Sequence, residues 1–402
     1  MRLFIPTMAR ALFLVYNKPL QIFVQHLFDG NSSIRIDDLS EEQLPIYNLP
    51  LNRNYIVKGG PGTGKTVMAY FRANRIAEGA VDVKTYHSWL WDIIIELGED
   101  PLNYQIRDFV YNWNQVTQLF EEKGSPKLFD NYQLFIDEAQ DFPKELAAIL
   151  SKYFKKVTIF IDEHQSIERT TKVHEIRHIF NIESNPLYLS KNYRNTPEIY
   201  QVARLFFTGD YHLKLLPEEC YIKSLEEKPR VLYDHSFQDT IDFLANYAHS
   251  FPQKMIGVVL PKPEILDKYY SALRASRLEF NLQKYKQSGR DRSYNKFNFR
   301  DSGLKLLTIN TVKGLEFDTV FICEVDNDEY KNITNEKKGK LLFNRLYVTC
   351  SRAKTELFFT CKNYEEKTFI LDTLNNNSKL LEYANDKVRK VSDELDLDDV
   401  PF

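Results

Sequence analysis

Tyr55-Ile56-Val57-Lys58-Gly59-Gly60-Pro61-Gly62-Thr63-Gly64-Lys65-Thr66 joins a short apolar run to a glycine-rich turn, and a helical pattern follows from Thr66 to Glu78. This is the P-loop pattern, with a strand before it and a helix after it. Its glycines let backbone N–H groups wrap phosphates at a helix N-terminus. Gly60, Pro61, Gly62, Thr63 and Gly64 form the cradle. Lys65 is placed to reach the β- and γ-phosphates and Thr66 to hold Mg²⁺. The bland alternative is an ordinary Gly-rich turn, against which the flanking strand and helix argue. ATP and Mg²⁺ are the expected cofactors.

Downstream, Leu134-Phe135-Ile136-Asp137-Glu138-Ala139-Gln140-Asp141 ends a buried strand pattern in paired carboxylates. Asp137 is suited to Mg²⁺ and Glu138 to polarising the attacking water, two tasks that want adjacent side chains pointing differently. An acidic helix start before Pro143 is the other reading of that pair.

Around these motifs, short β-rich runs alternate with helix-length segments. The strands expected are 11–16, 55–58, 81–86, 133–136, 157–161, 230–233, 255–260, 304–309 and 319–323. Helices are expected at 66–78, 143–153, 197–207 and 263–276, three of them opening on Pro143, Pro197 and Pro263. The pattern predicts an α/β fold with mostly parallel sheets. The expected layout is a first domain over 1–185 with a small helical insertion at about 89–130, a second domain over 186–385, and an acidic tail over 386–402.

Composition narrows the function classes. The chain has 402 residues, 43% hydrophobic and 27% charged, which excludes a disordered or fibrous protein. A net charge of -3 means that a polyanion must meet a local basic groove. The apolar N-terminal run to Val15 is broken by Arg10, no small-residue cleavage site follows, and no membrane partner is expected. Cys220, Cys323, Cys350 and Cys361 lack zinc or redox spacing and read as reduced core thiols, consistent with a cytoplasmic location.

Together the P-loop and Asp-Glu-Ala-Gln-Asp resemble the superfamily 1 helicases of the UvrD/Rep type, and further segments match in order. Gln43 precedes the P-loop as the family's adenine-reading glutamine does. Thr85-Tyr86-His87-Ser88 resembles a DNA-contact motif, implicating Thr85 and His87. Ile161 to Ile167 resembles the motif whose glutamine, here Gln165, senses the γ-phosphate. Asn192-Tyr193-Arg194 matches a motif in which tyrosine stacks on adenine and arginine meets phosphate. Thr311 to Phe317, with Gly314 and Glu316, and Asn344 to Lys354, with Arg352 as arginine finger, complete the set. The resemblance implies two RecA-like P-loop domains with ATP at the cleft between them. It also implies a DNA-dependent ATPase with 3'-5' helicase or translocase activity, in a setting such as DNA repair.

The sequence departs from the family in four places. The Thr-x-Asn-Lys DNA motif is missing after the P-loop helix, and a match stands instead at Leu12–Leu20, offering Asn17 and Lys18 as DNA contacts. That strand is either permuted to the front or unrelated to DNA. The insertion at 89–130 is short, and 196–303 hardly holds the family's large second insertion. Glu168-Arg169-Thr170 replaces aromatics that stack on a base; Trp89, Trp91 or Trp113 would substitute unless they are core. ATP hydrolysis is therefore better supported than unwinding.

The acidic end, Asp393 to Phe402, resembles the tip of bacterial single-stranded DNA-binding proteins. It is either a docking peptide for a protein partner or a solvated tail. A rival reading makes the chain an ATPase switch regulating a partner nuclease in bacterial antiviral defence. A third makes it an adaptor recruiting replication or repair proteins.

Overall fold

In the computed structural model the described residues are 10–29, 35–77, 80–162, 173–208, 219–220, 224–285, 298, 301–331 and 336–385. Gln165 and the acidic tail lie outside them.

The first half runs β1 (Arg10–Val15), α1 (Lys18–Phe28), α2 (Gln43–Asn48), β2 (Tyr55–Gly59), α3 (Lys65–Ala77), β3 (Val81–Thr85) and α4 (Tyr86–Glu96). It continues with β4 (Gln105–Arg107), β5 (Val110–Tyr111), α5 (Trp113–Lys123), β6 (Tyr132–Ile136), α6 (Lys144–Tyr153), β7 (Val157–Ile161), α7 (Val173–Ile179) and β8 (Leu187–Leu189). Six of these strands form one parallel sheet in the order β3-β1-β6-β7-β2-β8. Parallel strands covered on both faces read as continuous apolar runs, and β6 shows why. Leu134 and Ile136 pack with Trp89 and Phe142 on one side, while Phe135 packs with Phe13 and Met68 on the other.

The second half begins with β9 (Lys191–Asn192), α8 (Pro197–Arg204), β10 (Glu219–Cys220), β11 (Arg230–Leu232), α9 (Phe237–Ser250), β12 (Met255–Leu260) and α10 (Pro263–Arg274). It ends with β13 (Leu282–Lys284), β14 (Gly303–Thr308), β15 (Phe317–Ile322), α11 (Glu336–Cys350), β16 (Ala353–Thr360), α12 (Phe369–Asn375) and β17 (Glu382–Ala384). Seven strands make a second parallel sheet, β13-β14-β12-β15-β16-β11-β17. It too is covered on both faces: Leu304 and Leu306 pack into one apolar cluster and Leu307 into another. The architecture is α/β with parallel sheets flanked by helices.

Three expectations need correction. Strand β8 completes the first sheet beyond the expected boundary at residue 185, and α8 joins the second core through Ile199 and Val202, so the chain changes domain between Leu189 and Pro197. The segment 89–130 is not purely helical. It contains the antiparallel hairpin β4–β5, and its apolar residues Trp89, Val116 and Phe120 belong to the first domain's own core. Trp89 is thereby removed as a base-stacking substitute, while Trp91 is exposed and Trp113 packs partly against the core. Among the described residues, no helix is long and apolar enough to cross a membrane. All four cysteines are free, and Cys323, Cys350 and Cys361 are buried.

The N-terminal strand β1 lies between β3 and β6, with Val15 opposite Thr85 and Leu14 opposite Ile136. Asn17, Thr85 and Asp137 therefore emerge together at the carboxyl edge of the sheet, where ligands of open parallel sheets bind.

Candidate functional site

The P-loop leaves β2 and turns back through Gly62 and Gly64, whose φ angles of +75° and +83° favour glycine. Space enforces the same choice at Gly62, because a Cβ there would come within 2.3 Å of Asn192 Oδ1. Lys65 Nζ donates to the carbonyls of Gly59 (2.9 Å) and Gly60 (2.8 Å) and pairs with Asp162 at 3.6 Å, so its ammonium sits over the loop. Thr63 Oγ1 donates to the Gly60 carbonyl (2.9 Å), and Pro61 lines the adjoining cleft.

Thr66 Oγ1 donates to Asp137 Oδ2 at 2.6 Å, although the two residues are 71 positions apart. Asp137 is fully buried. Burial, then the charge of Glu138, pushes its carboxyl above the ordinary aspartate range. A hydroxyl and a buried carboxylate in contact at the foot of a phosphate loop fit a Mg²⁺ ion, which would relieve that crowding of negative charge.

Glu138 holds a left-handed backbone, φ +56°, uncommon for a residue other than glycine. Gln140 Nε2 donates to its carboxylate, while Gln140 Oε1 accepts the Asp162 N–H at 3.0 Å. Burial alone would raise the Glu138 carboxyl. Lys313, Lys65 and Arg352 outweigh it and hold the group below the usual range. Glu138 is thus held as a carboxylate on the lining of the cleft, the charge state that a water-polarising base requires.

Lys313 arrives from the second domain. Its ammonium, 4% exposed, pairs with Asp141 and lies 3.4 Å from Glu138 Oε2. Burial lowers its basicity, but the two acids overcome this and raise it. Sequence reasoning assigns no role to Lys313 or Asp141, although both stand inside its motifs. The available signal is a lysine within Thr311–Phe317, whose target a one-dimensional reading cannot identify.

Arg194 and Arg352 face the same cleft of about 620 Å³, which is also lined by Lys65, Glu138, Tyr193 and Glu316. Arg194 is held by Glu316, Nε to Oε1 at 2.9 Å, which with Lys354 overcomes burial and lowers the Glu316 carboxyl. Arg352 is 3% exposed and donates to the carbonyls of Val348 (3.2 Å) and Leu315 (3.5 Å). Burial, then repulsion by Arg194, brings it down to about 10, so it stays charged at neutral pH. Gly314, φ +83°, brings this loop against α1: Asn17 Nδ2 donates to the Lys313 carbonyl at 3.1 Å, and a Cβ on Gly314 would stand 3.2 Å from Asn17 Oδ1.

On the opposite side of the P-loop, Gln43 Nε2 donates to the Thr63 carbonyl at 3.4 Å. Glu42, beside it, is a residue to which sequence reasoning gives no role. One oxygen accepts from Ser190 N and Oγ, both at 2.8 Å; the other accepts from Lys191 N (3.1 Å) and the Tyr193 hydroxyl (3.2 Å). The Tyr193 hydroxyl also reaches Ser40 Oγ at 2.6 Å, and its N–H donates to the Gly62 carbonyl at 2.8 Å. Glu42 therefore ties the helix carrying Gln43 to the segment where the chain changes domain.

Three of the four expected DNA contacts carry local structural duties. Thr85 Oγ1 caps α4 by accepting from Ser88 N (3.1 Å), and Asn17 Oδ1 caps α1 by accepting from Leu20 N (3.1 Å). Lys18 is exposed and donates to Gln21 Oε1 at 3.0 Å. His87 is half-buried against Tyr111 and Phe109, and burial pulls its imidazole down to about 4. It is uncharged at neutral pH, which suits contact with a base or sugar better than with a phosphate.

Comparison with known proteins finds similarity to helicases. Residues 287–364 match the UvrD-like helicase C-terminal domain. The "Probable DNA helicase II homolog" of Mycoplasma pneumoniae is 23% identical over 340 residues, covering 78% of this chain and 43% of that protein. The RecBCD enzyme subunit RecB of Chlamydia muridarum is 34% identical over 85 residues, 21% of this chain and 7% of that one. The chain thus spans less than half the length of these curated relatives. Among solved structures, the C-terminal domain of a possible DNA helicase from Lactobacillus plantarum covers 48% of this chain and 99% of its own, with 18% identity and a TM-score of 0.33. The PRRSV helicase covers 88% of this chain and 53% of its own, at 12% identity and a TM-score of 0.32.

Proposed function

We propose that this chain, which resembles the UvrD-like superfamily 1 helicases, is a nucleic-acid-dependent ATPase that translocates on single-stranded DNA in the 3'-5' direction. The observation that carries this reading is the Lys313–Glu138 contact, in which the second domain reaches the water-activating carboxylate of the first. Whatever moves one domain against the other then acts on hydrolysis directly.

In this reading the P-loop backbone and Lys65 bind the phosphates, and Gln43 and Tyr193 contact the base. Thr66 and Asp137 would hold Mg²⁺, which would supply neutralisation of phosphate charge. Glu138 accepts a proton from the attacking water. Arg352 and Arg194 stabilise charge that builds on the γ-phosphoryl oxygens, and Arg194 must first leave Glu316 to do so. Their contact tightens as the cleft closes, so closure and hydrolysis are coupled.

A compact alternative, an ATPase switch serving a partner nuclease, is favoured by the insertion at 89–130 packing into the core instead of projecting as an arm. ATPase rate measured against single-stranded, duplex and tailed DNA and RNA separates the two. Stimulation by single-stranded DNA supports the motor; a rate indifferent to every nucleic acid supports the switch.

A further inference from the structure

The hairpin β4–β5 turns at Asp108 and Phe109, and Phe109 is held at φ +61°, a backbone region that a bulky side chain rarely adopts. It is also 56% exposed, the most exposed aromatic among the described residues. A two-residue hairpin turn calls for positive φ, but glycine or asparagine supplies it without strain; a phenylalanine that also presents its ring to water is the kind of outlier found where a site uses it.

The ring is not isolated. Phe109 meets His87 edge-on, with centroids 5.3 Å apart, and His87 stacks on Tyr111 at 5.8 Å with 20° between planes. Tyr86 adjoins His87 at 3.8 Å, Tyr16 adjoins Tyr86 at 6.2 Å, and the Lys313 ammonium lies 5.8 Å from the centre of the Tyr16 ring. This row runs from the domain interface to the hairpin tip. Tyr86 and Tyr111 are buried and back it, whereas Tyr16 and His87 are partly open and Phe109 is exposed.

We propose that Phe109 is a stacking platform for a base of single-stranded nucleic acid whose path runs from Asn17 and Lys18 past His87 to the hairpin tip. The proposal rests on the nucleic-acid reading given above and adds a subsite to it. Charge favours this occupant: the exposed cations Lys18 and Arg107 stand in the chain two residues from Tyr16 and Phe109, the rings at either end of the row, and can meet a backbone while the rings meet bases. Asp108, exposed beside Phe109, repels phosphate there and leaves the ring to a base face. The uncharged imidazole of His87 fits the same division of labour. Stacking is tolerant of sequence because every base has a π-face. Phe109 would also provide, from the first domain's insertion, a π-surface that the side chains of Glu168-Arg169-Thr170 cannot offer.

The test uses the full chain and fluorescein-labelled dT20, read by anisotropy over a salt series. Phe109→Ala should weaken binding about 5- to 150-fold, the range for losing one stacked base, with an unchanged salt slope because every phosphate contact is kept. Phe109→Trp should restore affinity, and 2-aminopurine placed in the strand should lose quenching only in the Ala variant. Wild-type affinity in Phe109→Ala overturns the subsite but leaves the nucleic-acid reading standing. A reduced salt slope also overturns it, since the tip would then act through charge. Absence of binding by the wild-type chain overturns both, and capture of a protein partner by wild type but not by Phe109→Ala would reassign the tip to that partner.

Discussion

Replacing Lys313 by Met removes one charge from the junction of the two domains while keeping an unbranched side chain in the same space. The ammonium lies 3.4 Å from Glu138 Oε2 and pairs with Asp141 in a site almost closed to water. At an effective dielectric near 20, unit charges at that separation attract by about 5 kcal/mol, and ~1.36 kcal/mol corresponds to one pH unit. Lys65 and Arg352 remain beside Glu138 and retain part of the effect. We therefore expect its titration to rise by about 1–2 pH units, within that ceiling. The sign follows from the direction of the native shift. Glu138 is held below its ordinary value, so the stability from its pairing is present above the unfolded glutamate pKa and is lost as pH falls through the lowered one. Lys313→Met removes the share of that stability due to Lys313 at neutral pH and lets burial push the carboxyl up against what Lys65 and Arg352 retain. The assay is kcat against pH: the acid limb of Lys313→Met should lie at higher pH than that of the wild type. A second measurement compares thermal stability. Stripping one partner from a buried pair typically costs about 3–5 kcal/mol, and adding Asp141→Asn should return part of it. Coincident acid limbs with equal stability would refute the argument that Lys313 sets the charge state of Glu138.

Three further outcomes follow from the same geometry. Glu138→Gln should keep nucleotide binding but lower turnover by orders of magnitude, because the charge clamps remain and the base is gone; near-normal single-turnover hydrolysis would take Glu138 out of that role. Glu42→Ala removes an acceptor shared by Ser190, Lys191 and Tyr193, and should raise KM for ATP roughly tenfold with kcat changed far less, as expected for losing about 1–1.5 kcal/mol of positioning. Lys18→Ala should reduce the salt slope of single-strand binding by roughly 0.7, the value for one phosphate contact; an unchanged slope would leave β1 with a purely structural role.

Some of this protein can be read from short stretches alone. The P-loop, the carboxylate pair and the strand runs are legible because their causes are local: glycine where φ is positive, continuous apolar residues where both faces are covered, and proline where a helix begins. Gly62 and Gly64 carry their requirement in their own dihedrals, and Phe135 announces a two-sided strand by following one apolar residue and preceding another. The hairpin β4–β5 is not legible in this way. Gln105, Arg107 and Asp108 interrupt Ile106, Phe109, Val110 and Tyr111 with no clear period of either kind.

What the tertiary structure decided is who meets whom. The seat of β1 between β3 and β6 joins residues 70 and 122 positions apart. Lys313 finds Asp141 across 172 residues, and Glu42 finds Ser190 across 148. No local pattern encodes such partners, because an ion pair or a strand neighbour is selected only when two parallel sheets have formed and their carboxyl edges face each other. A lysine in a loop is then drawn out of water by two acids whose burial has already made them costly to leave unpaired.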